Sequence, residues 1–167
     1  MTIKSIAVVG AGTMGNGIAQ VCATAGYEVR LIDVAPAALD KGIENIRRSL
    51  AKLTEKGRLS AERAEAALAA IAPAGELAAA AGADLVIEAA TENPELKLKI
   101  FRELDGLAHP EAILASNTSS ISLTKIAGAT RRPDKVVGMH FMNPVPLMTL
   151  VEVIRALGTS DATVAAI

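Results

Sequence analysis

The chain opens on an apolar run, residues 3–9, that leads directly into Gly10-Ala11-Gly12-Thr13-Met14-Gly15. This G-x-G-x-x-G spacing constrains the fold more than any other stretch. Residues 3–9 are expected to form a parallel strand buried on both faces. Residues 13–25 follow as a helix ended by Gly26, and 28–33 as a second strand closing on Asp33. In that frame each glycine has a physical reason. Gly10 allows a tight turn, Gly12 carries no Cβ to block a diphosphate, and Gly15 and Gly17 permit close helix–strand packing. The unpaired N–H groups and the dipole at the helix start favour an anion. A carboxylate at Asp33 can accept hydrogen bonds from both ribose hydroxyls and repels a 2′-phosphate. The Val34-Ala35-Pro36 that follows supplies no Arg to offset that repulsion. Gly10, Gly12, Thr13, Met14, Gly15 and Asp33 are therefore candidates to bind NAD in preference to NADP. The competing reading is an α/β domain with a glycine turn that binds nothing.

No charged residue lies between Lys4 and Glu28, which is long enough for a membrane span. Five glycines and several polar residues in that stretch argue for a strand, turn and helix instead, since each internal glycine costs a helix roughly 1 kcal/mol relative to Ala. Neither a membrane role nor an export signal is expected. Seventeen Lys and Arg against eighteen Asp and Glu give a net charge of −1, and aromatics make up 2 %. That composition provides neither a basic footprint nor stacking platforms, so nucleic acid is not expected as a partner. The single Cys excludes an internal disulfide and a multi-cysteine zinc site, and no metal is expected. A reducing, cytoplasmic setting fits best.

The remainder reads as alternating strands and helices. Strands are expected at 71–73, 84–89, 113–115, 136–140 and 149–154, and helices at 36–56, 60–70, 94–107 and 122–127. Residues 74–82 form a weak helix with loops, and Ser160 is placed to cap a last helix. The long helix carries Ala38, Ile43, Ile46, Leu50 and Leu53 on one apolar stripe. The whole is expected to be one domain, residues 1–167, built as a doubly wound, mostly parallel α/β sheet.

Two further constellations carry chemistry. His140 ends an apolar strand, at the edge where open α/β sheets bind ligands. Glu152 lies among aliphatic residues and needs a partner if buried. His140 is the economical candidate, giving an imidazole base with a carboxylate behind it. The alternative is a core histidine beside a surface glutamate. The second constellation is Ser116-Asn117-Thr118-Ser119-Ser120, at the end of another strand. It either holds a carbonyl or alcohol oxygen or serves as the cap of the 122–127 helix. His109, before Pro110, reads as a surface turn residue.

With these residues in hand, the chain resembles the NAD-binding domain of 3-hydroxyacyl-CoA dehydrogenases, nearest the 3-hydroxybutyryl-CoA branch. The resemblance runs through residues 9–19, Glu88-Ala89-Ala90-Thr91-Glu92-Asn93, residues 115–120, and His140-Phe141-Met142-Asn143-Pro144-Val145-Pro146 leading into Leu150-Val151-Glu152-Val153-Ile154. It implies an NAD-dependent interconversion of (S)-3-hydroxyacyl-CoA and 3-oxoacyl-CoA in fatty-acid or butanoate metabolism. It implies His140 as catalytic base, Glu152 as its partner, and Ser119 as a catalytic hydrogen-bond partner of the 3-oxygen close to the nicotinamide. Asn143, Glu92, Lys97 and Asp33 are implied as further NAD contacts, and Ser49 and Lys56 as coenzyme A contacts. Seven residues make nearly two helical turns, so Ser49, Lys52 and Lys56 share a face suited to a phosphate-bearing ligand. A solvated basic face is the plain alternative.

The family also has a helical second domain that supplies a further Asn and forms a homodimer, and no such domain follows residue 167 in this sequence. The chain alone is therefore expected to turn over poorly. Two rival functions remain at this stage. One is a 3-hydroxyacid dehydrogenase of the 6-phosphogluconate type with a lysine base. The other is a non-catalytic dinucleotide binder on the same scaffold.

Overall fold

The structure is a computed structural model and describes residues 2–167. Seven strands form one sheet: β1 (Ser5–Val9), β2 (Glu28–Ile32), β3 (Ile71–Ala74), β4 (Leu85–Glu88), β5 (Ile113–Ser116), β6 (Val136–Phe141) and β7 (Val151–Arg155). Their spatial order is β3-β2-β1-β4-β5-β6-β7. All neighbours run parallel except β6 and β7, which are antiparallel. The helices are α1 (Thr13–Thr24), α2 (Pro36–Glu55), α3 (Ala61–Ala69), α4 (Pro94–Leu107), α5 (Leu123–Ala127) and α6 (Asp161–Ala166). This is the doubly wound, mostly parallel fold expected from the sequence, with an antiparallel edge at β7. The weak helix expected over 74–82 is a single 3-10 turn, Leu77–Ala80.

Alternation along the strands divides the interior into two cores. Ile6 and Val8 of β1 point to one side, with Ile18 of α1 and Ile46 and Leu50 of α2. Ala7 and Val9 point to the other, with Phe101 and Leu104 of α4 and Ile126 of α5. Strands β4 and β5 are buried throughout, which is why all but their last residues, Glu88 and Ser116, read as apolar runs. Gly26 and Gly57 close α1 and α2 with positive φ, +97° and +65°.

The winding direction reverses between β1 and β4, which lie side by side at the centre. The carboxyl ends of those two strands therefore open a crevice. The glycine turn, Asp33, Glu92, Ser119, His140 and Asn143 all lie at or near this end of the sheet. No helix among the described residues is long and apolar enough to cross a membrane, and among those residues no His, Cys, Asp and Glu cluster into a metal site.

Candidate active site

The glycine turn joins β1 to α1. Gly10 has φ +103°, and a Cβ there would stand 2.7 Å from the Ala89 carbonyl oxygen. Gly15 meets the same turn from the helix side, where a Cβ would fall 1.7 Å from the Gly10 oxygen. At Gly12 a Cβ would meet nothing within 4 Å, so the backbone faces open space. Helix α1 starts there with no capping side chain and no acidic residue in its first turn. Its N–H groups and dipole are left for an external anion. Gly17 departs from its expected role. Its missing Cβ makes room for Val145, 2.9 Å from the position a Cβ would take, so it admits the loop after β6 rather than a strand.

Asp33 follows β2 and accepts hydrogen bonds from Ala11 N–H at 2.9 Å and Ala35 N–H at 3.0 Å. It also lines a hollow of about 490 Å³ with Gly10, Gly12, Val34, Ala89 and Ala90. The open Gly12 backbone, the uncapped helix start and this carboxylate together fit a dinucleotide laid across the turn.

Ala89 and Ala90 also line a second hollow, of about 340 Å³, with Met14, Glu92, Ser119, His140 and Asn143. His140 on β6 lies directly opposite Glu152 on β7 in the strand register. The ring Nδ1 is 2.7 Å from Glu152 Oε2. Glu152 is not buried, its side chain being 48 % exposed, so burial does not oblige it to take a partner. Cross-strand register makes the pair, and an edge strand leaves the carboxylate half in water. With Nδ1 bound to the carboxylate, Nε2 is the nitrogen left to take a proton.

The serine loop resolves into separate tasks. Ser122 caps α5, accepting from Lys125 N–H. Ser116 is buried and donates to Glu88 Oε2 at 2.7 Å. Asn117 accepts from Phe141 N–H at 2.9 Å through Oδ1, tying the end of β6 to the end of β5. Ser119 lines the hollow with His140. Glu92 Oε1 accepts from the Thr118 hydroxyl, from Ser119 N–H at 3.1 Å and from Ser120 N–H at 3.3 Å. Partial burial works to raise the Glu92 carboxyl, but the Thr118 hydrogen bond and the Lys97 charge outweigh it and hold it below the usual glutamate range.

Lys97, implied by the resemblance as an NAD contact, lies in the interior. It is 1 % exposed and lines neither hollow. Its Nζ lies 2.7 Å from Glu88 Oε1 and 3.3 Å from Glu92 Oε2, beneath the cleft floor. Glu88 and Thr118 were given no individual role from the sequence. A carboxylate ending an otherwise apolar strand was the available signal. His109 is a turn residue, its Nδ1 accepting from Glu111 N–H.

Ser49, Lys52 and Lys56 line a third hollow of about 340 Å³ on α2, with Arg48, Arg58, Pro144 and Pro146. Four cations thus border the loop that carries Asn143 into the second hollow. The Asn143–Pro144 peptide bond is cis.

Comparisons with known proteins bear on the family and the fold. A family model described as 3-hydroxyacyl-CoA dehydrogenase, NAD binding domain, matches residues 5–167. A probable 3-hydroxybutyryl-CoA dehydrogenase of Bacillus subtilis is 49 % identical over 98 % of this chain and 57 % of the relative. The 3-hydroxybutyryl-CoA dehydrogenase of Bradyrhizobium diazoefficiens is 52 % identical over 96 % of this chain and 55 % of the relative. The crystal structure of (S)-3-hydroxybutyryl-CoA dehydrogenase from Ralstonia eutropha superposes with a TM-score of 0.96 at 50 % identity, over 99 % of this chain and 58 % of that one. The chain thus spans a little over half the length of each of these three relatives. With a site of this geometry and a match along nearly its whole length, the chain belongs to the 3-hydroxyacyl-CoA dehydrogenase family, in the family's NAD-binding domain.

Proposed function

We propose that residues 1–167 form one cofactor domain that supplies the acid–base pair of an NAD-dependent (S)-3-hydroxyacyl-CoA dehydrogenase, with the four-carbon 3-hydroxybutyryl thioester as the expected substrate. The observation that carries this reading is the 2.7 Å contact between His140 and Glu152, beside Ser119 and next to the dinucleotide cleft. NAD bound across the glycine turn would accept hydride from the hydroxyl-bearing carbon. The protein's own residues handle the proton. Glu152 accepts from Nδ1–H, which keeps the Nε2 lone pair free and stabilises the imidazolium once it forms. His140 takes the hydroxyl proton at Nε2 as the alcohol becomes a ketone, and returns it in the reverse direction. The Ser119 hydroxyl donates to the same oxygen and so helps fix the carbon facing the cofactor. Gly12 and the α1 N-terminus would hold the diphosphate, Asp33 the adenosine ribose, and Asn143 and Glu92 the nicotinamide side.

The cations on and just after α2 favour a coenzyme A thioester over a free hydroxyacid. Lys52, Lys56, Arg48 and Arg58 sit around one hollow that the 144–147 loop links to the reacting centre, and phosphate groups are what such a cluster attracts. A homodimer through a helical second domain and a cytoplasmic location belong to the same proposal. The location is supported by a single buried cysteine. The test is NADH oxidation with acetoacetyl-CoA set against free acetoacetate. Reduction of the thioester alone is expected. Equal rates with both would remove the coenzyme A reading, and no oxidation with either would leave a dinucleotide binder.

A further inference from the structure

Ser119 can serve the reaction only if the 118–120 backbone is held still, yet β5 ends at Ser116 and residues 117–122 form a loop. Glu92 is the anchor common to that segment. Its Oε1 accepts from the Thr118 hydroxyl, from the Ser119 and Ser120 N–H groups, and from the Ser120 hydroxyl at 3.1 Å. Glu92 itself lies outside any helix or strand and its side chain is 40 % exposed. A carboxylate so placed needs a fixed point of its own.

Lys97 supplies it from below. The ammonium lies 3.3 Å from Glu92 Oε2 and 2.7 Å from Glu88 Oε1. Glu88 is 0 % exposed at the end of β4. Its Oε1 also accepts from Ala90 N–H at 2.8 Å, and its Oε2 from the Ser116 hydroxyl, which in turn accepts from Thr118 N–H at 3.3 Å. Two routes therefore lead from Glu88 to the 118–120 segment, one through Lys97 and Glu92 and one through Ser116. Burying an ammonium and a carboxylate carries a desolvation cost that apolar side chains of the same volume avoid. Stability is thus a weak reason for a buried ion pair at the centre of the sheet, and geometric definition is a stronger one.

We infer that Glu88 and Lys97 are positioning residues for the Ser119 hydroxyl, acting through Glu92 and Ser116. The catalytic consequence rests on the function proposed above, whereas the placement of the loop does not.

The test uses Glu88→Gln and Glu88→Asp in this chain. Hydrogen exchange of the Ser119 and Ser120 amides is followed by NMR, with Val8 in the centre of β1 as reference. NADH-driven reduction of acetoacetyl-CoA is measured on the same preparations. Loss of hydrogen bonds to a charged acceptor should speed exchange at Ser119 and Ser120 about tenfold or more in Glu88→Gln, with Val8 changed less than roughly threefold. Turnover should fall by a similar factor. Glu88→Asp keeps the charge but shortens its reach, and the same local release is expected in it. It decides the matter should Glu88→Gln fail to fold. Unchanged amides in the folded variants overturn the inference, and so does exchange that rises equally at Val8, which would make the pair purely structural. If the unsubstituted chain reduces no acetoacetyl-CoA while the two amides respond as expected, the functional reading fails and the positioning stands.

Discussion

His140 and Asp33 each do more than their residue type announces. His140 sits where a strand register, not a buried environment, brings a carboxylate to 2.7 Å from Nδ1. Replacing it with alanine removes the proposed proton acceptor and none of the residues proposed to hold the dinucleotide. Turnover should fall by roughly 10²- to 10⁴-fold, as for loss of a general base, with NADH affinity close to wild type. Stopped-flow reduction and a fluorescence titration of NADH check the two halves, and near-normal turnover would remove His140 from the mechanism. Asp33 is already bonded to the Ala11 and Ala35 N–H groups. Its carboxylate shapes the glycine turn as well as lining the proposed cofactor hollow. Asp33→Ala should weaken NADH binding by about tenfold or more, the scale of a hydrogen bond to a charged group, and lower the preference for NADH over NADPH. An unaltered preference would mean the ribose is read elsewhere.

Helix α1 and the loop after β6 meet at Gly17, which had been expected to pack on a strand. An added methyl there must displace Val145, and with it the segment carrying Asn143. Gly17→Ala should therefore lower stability by about 1–3 kcal/mol despite its better helix propensity, because overpacking outweighs the gain. A thermal melt with a higher midpoint than wild type would contradict that. Helix α4 is tied to the approach to β6 by Asp105, whose carboxylate receives Arg131 Nε and Arg132 Nε, each at 2.9 Å. Burial pushes the Asp105 carboxyl up, but the bonds from Arg131 and Arg132 outweigh it and leave it below the usual aspartate range. A lowered folded-state value means stability present above the ordinary aspartate pKa of about 3.9 and lost as pH falls through the folded value. Denaturant melts should find Asp105→Asn less stable than wild type at neutral pH, with the gap closing in acid below that range. A gap constant across the titration would exclude the ion pair as its cause.

The molecule as a whole presents its reacting hollow beside an apolar margin. Leu147, Met148, Leu150 and Val153 are each at least 43 % exposed around β7, the edge strand that carries Glu152. Water reaches the His140–Glu152 pair from that side. The 167-residue chain should bind NADH at micromolar to millimolar levels yet turn over acetoacetyl-CoA slowly, because an open site weakens each electrostatic contact on the reacting oxygen. Full steady-state activity from these residues alone would show that nothing further is needed to cover the hollow.

The glycine spacing, the alternating apolar runs and the acidic residue closing β2 were legible in the sequence, because period, turn chemistry and strand burial are local properties. They were enough to imply the doubly wound sheet and a cleft for a dinucleotide. Whether Lys97 faces the cleft or lies beneath it, and whether Gly17 meets a strand or a loop, depends on segments distant in the chain. So does the division of work among Ser116, Ser119 and Ser122. Those outcomes were decided by tertiary packing, which sets contacts between residues whose separation along the chain carries no signal. Glu152 marks the boundary: its type and place on a strand are written in the sequence, but only the antiparallel register against β6 turned it toward the imidazole.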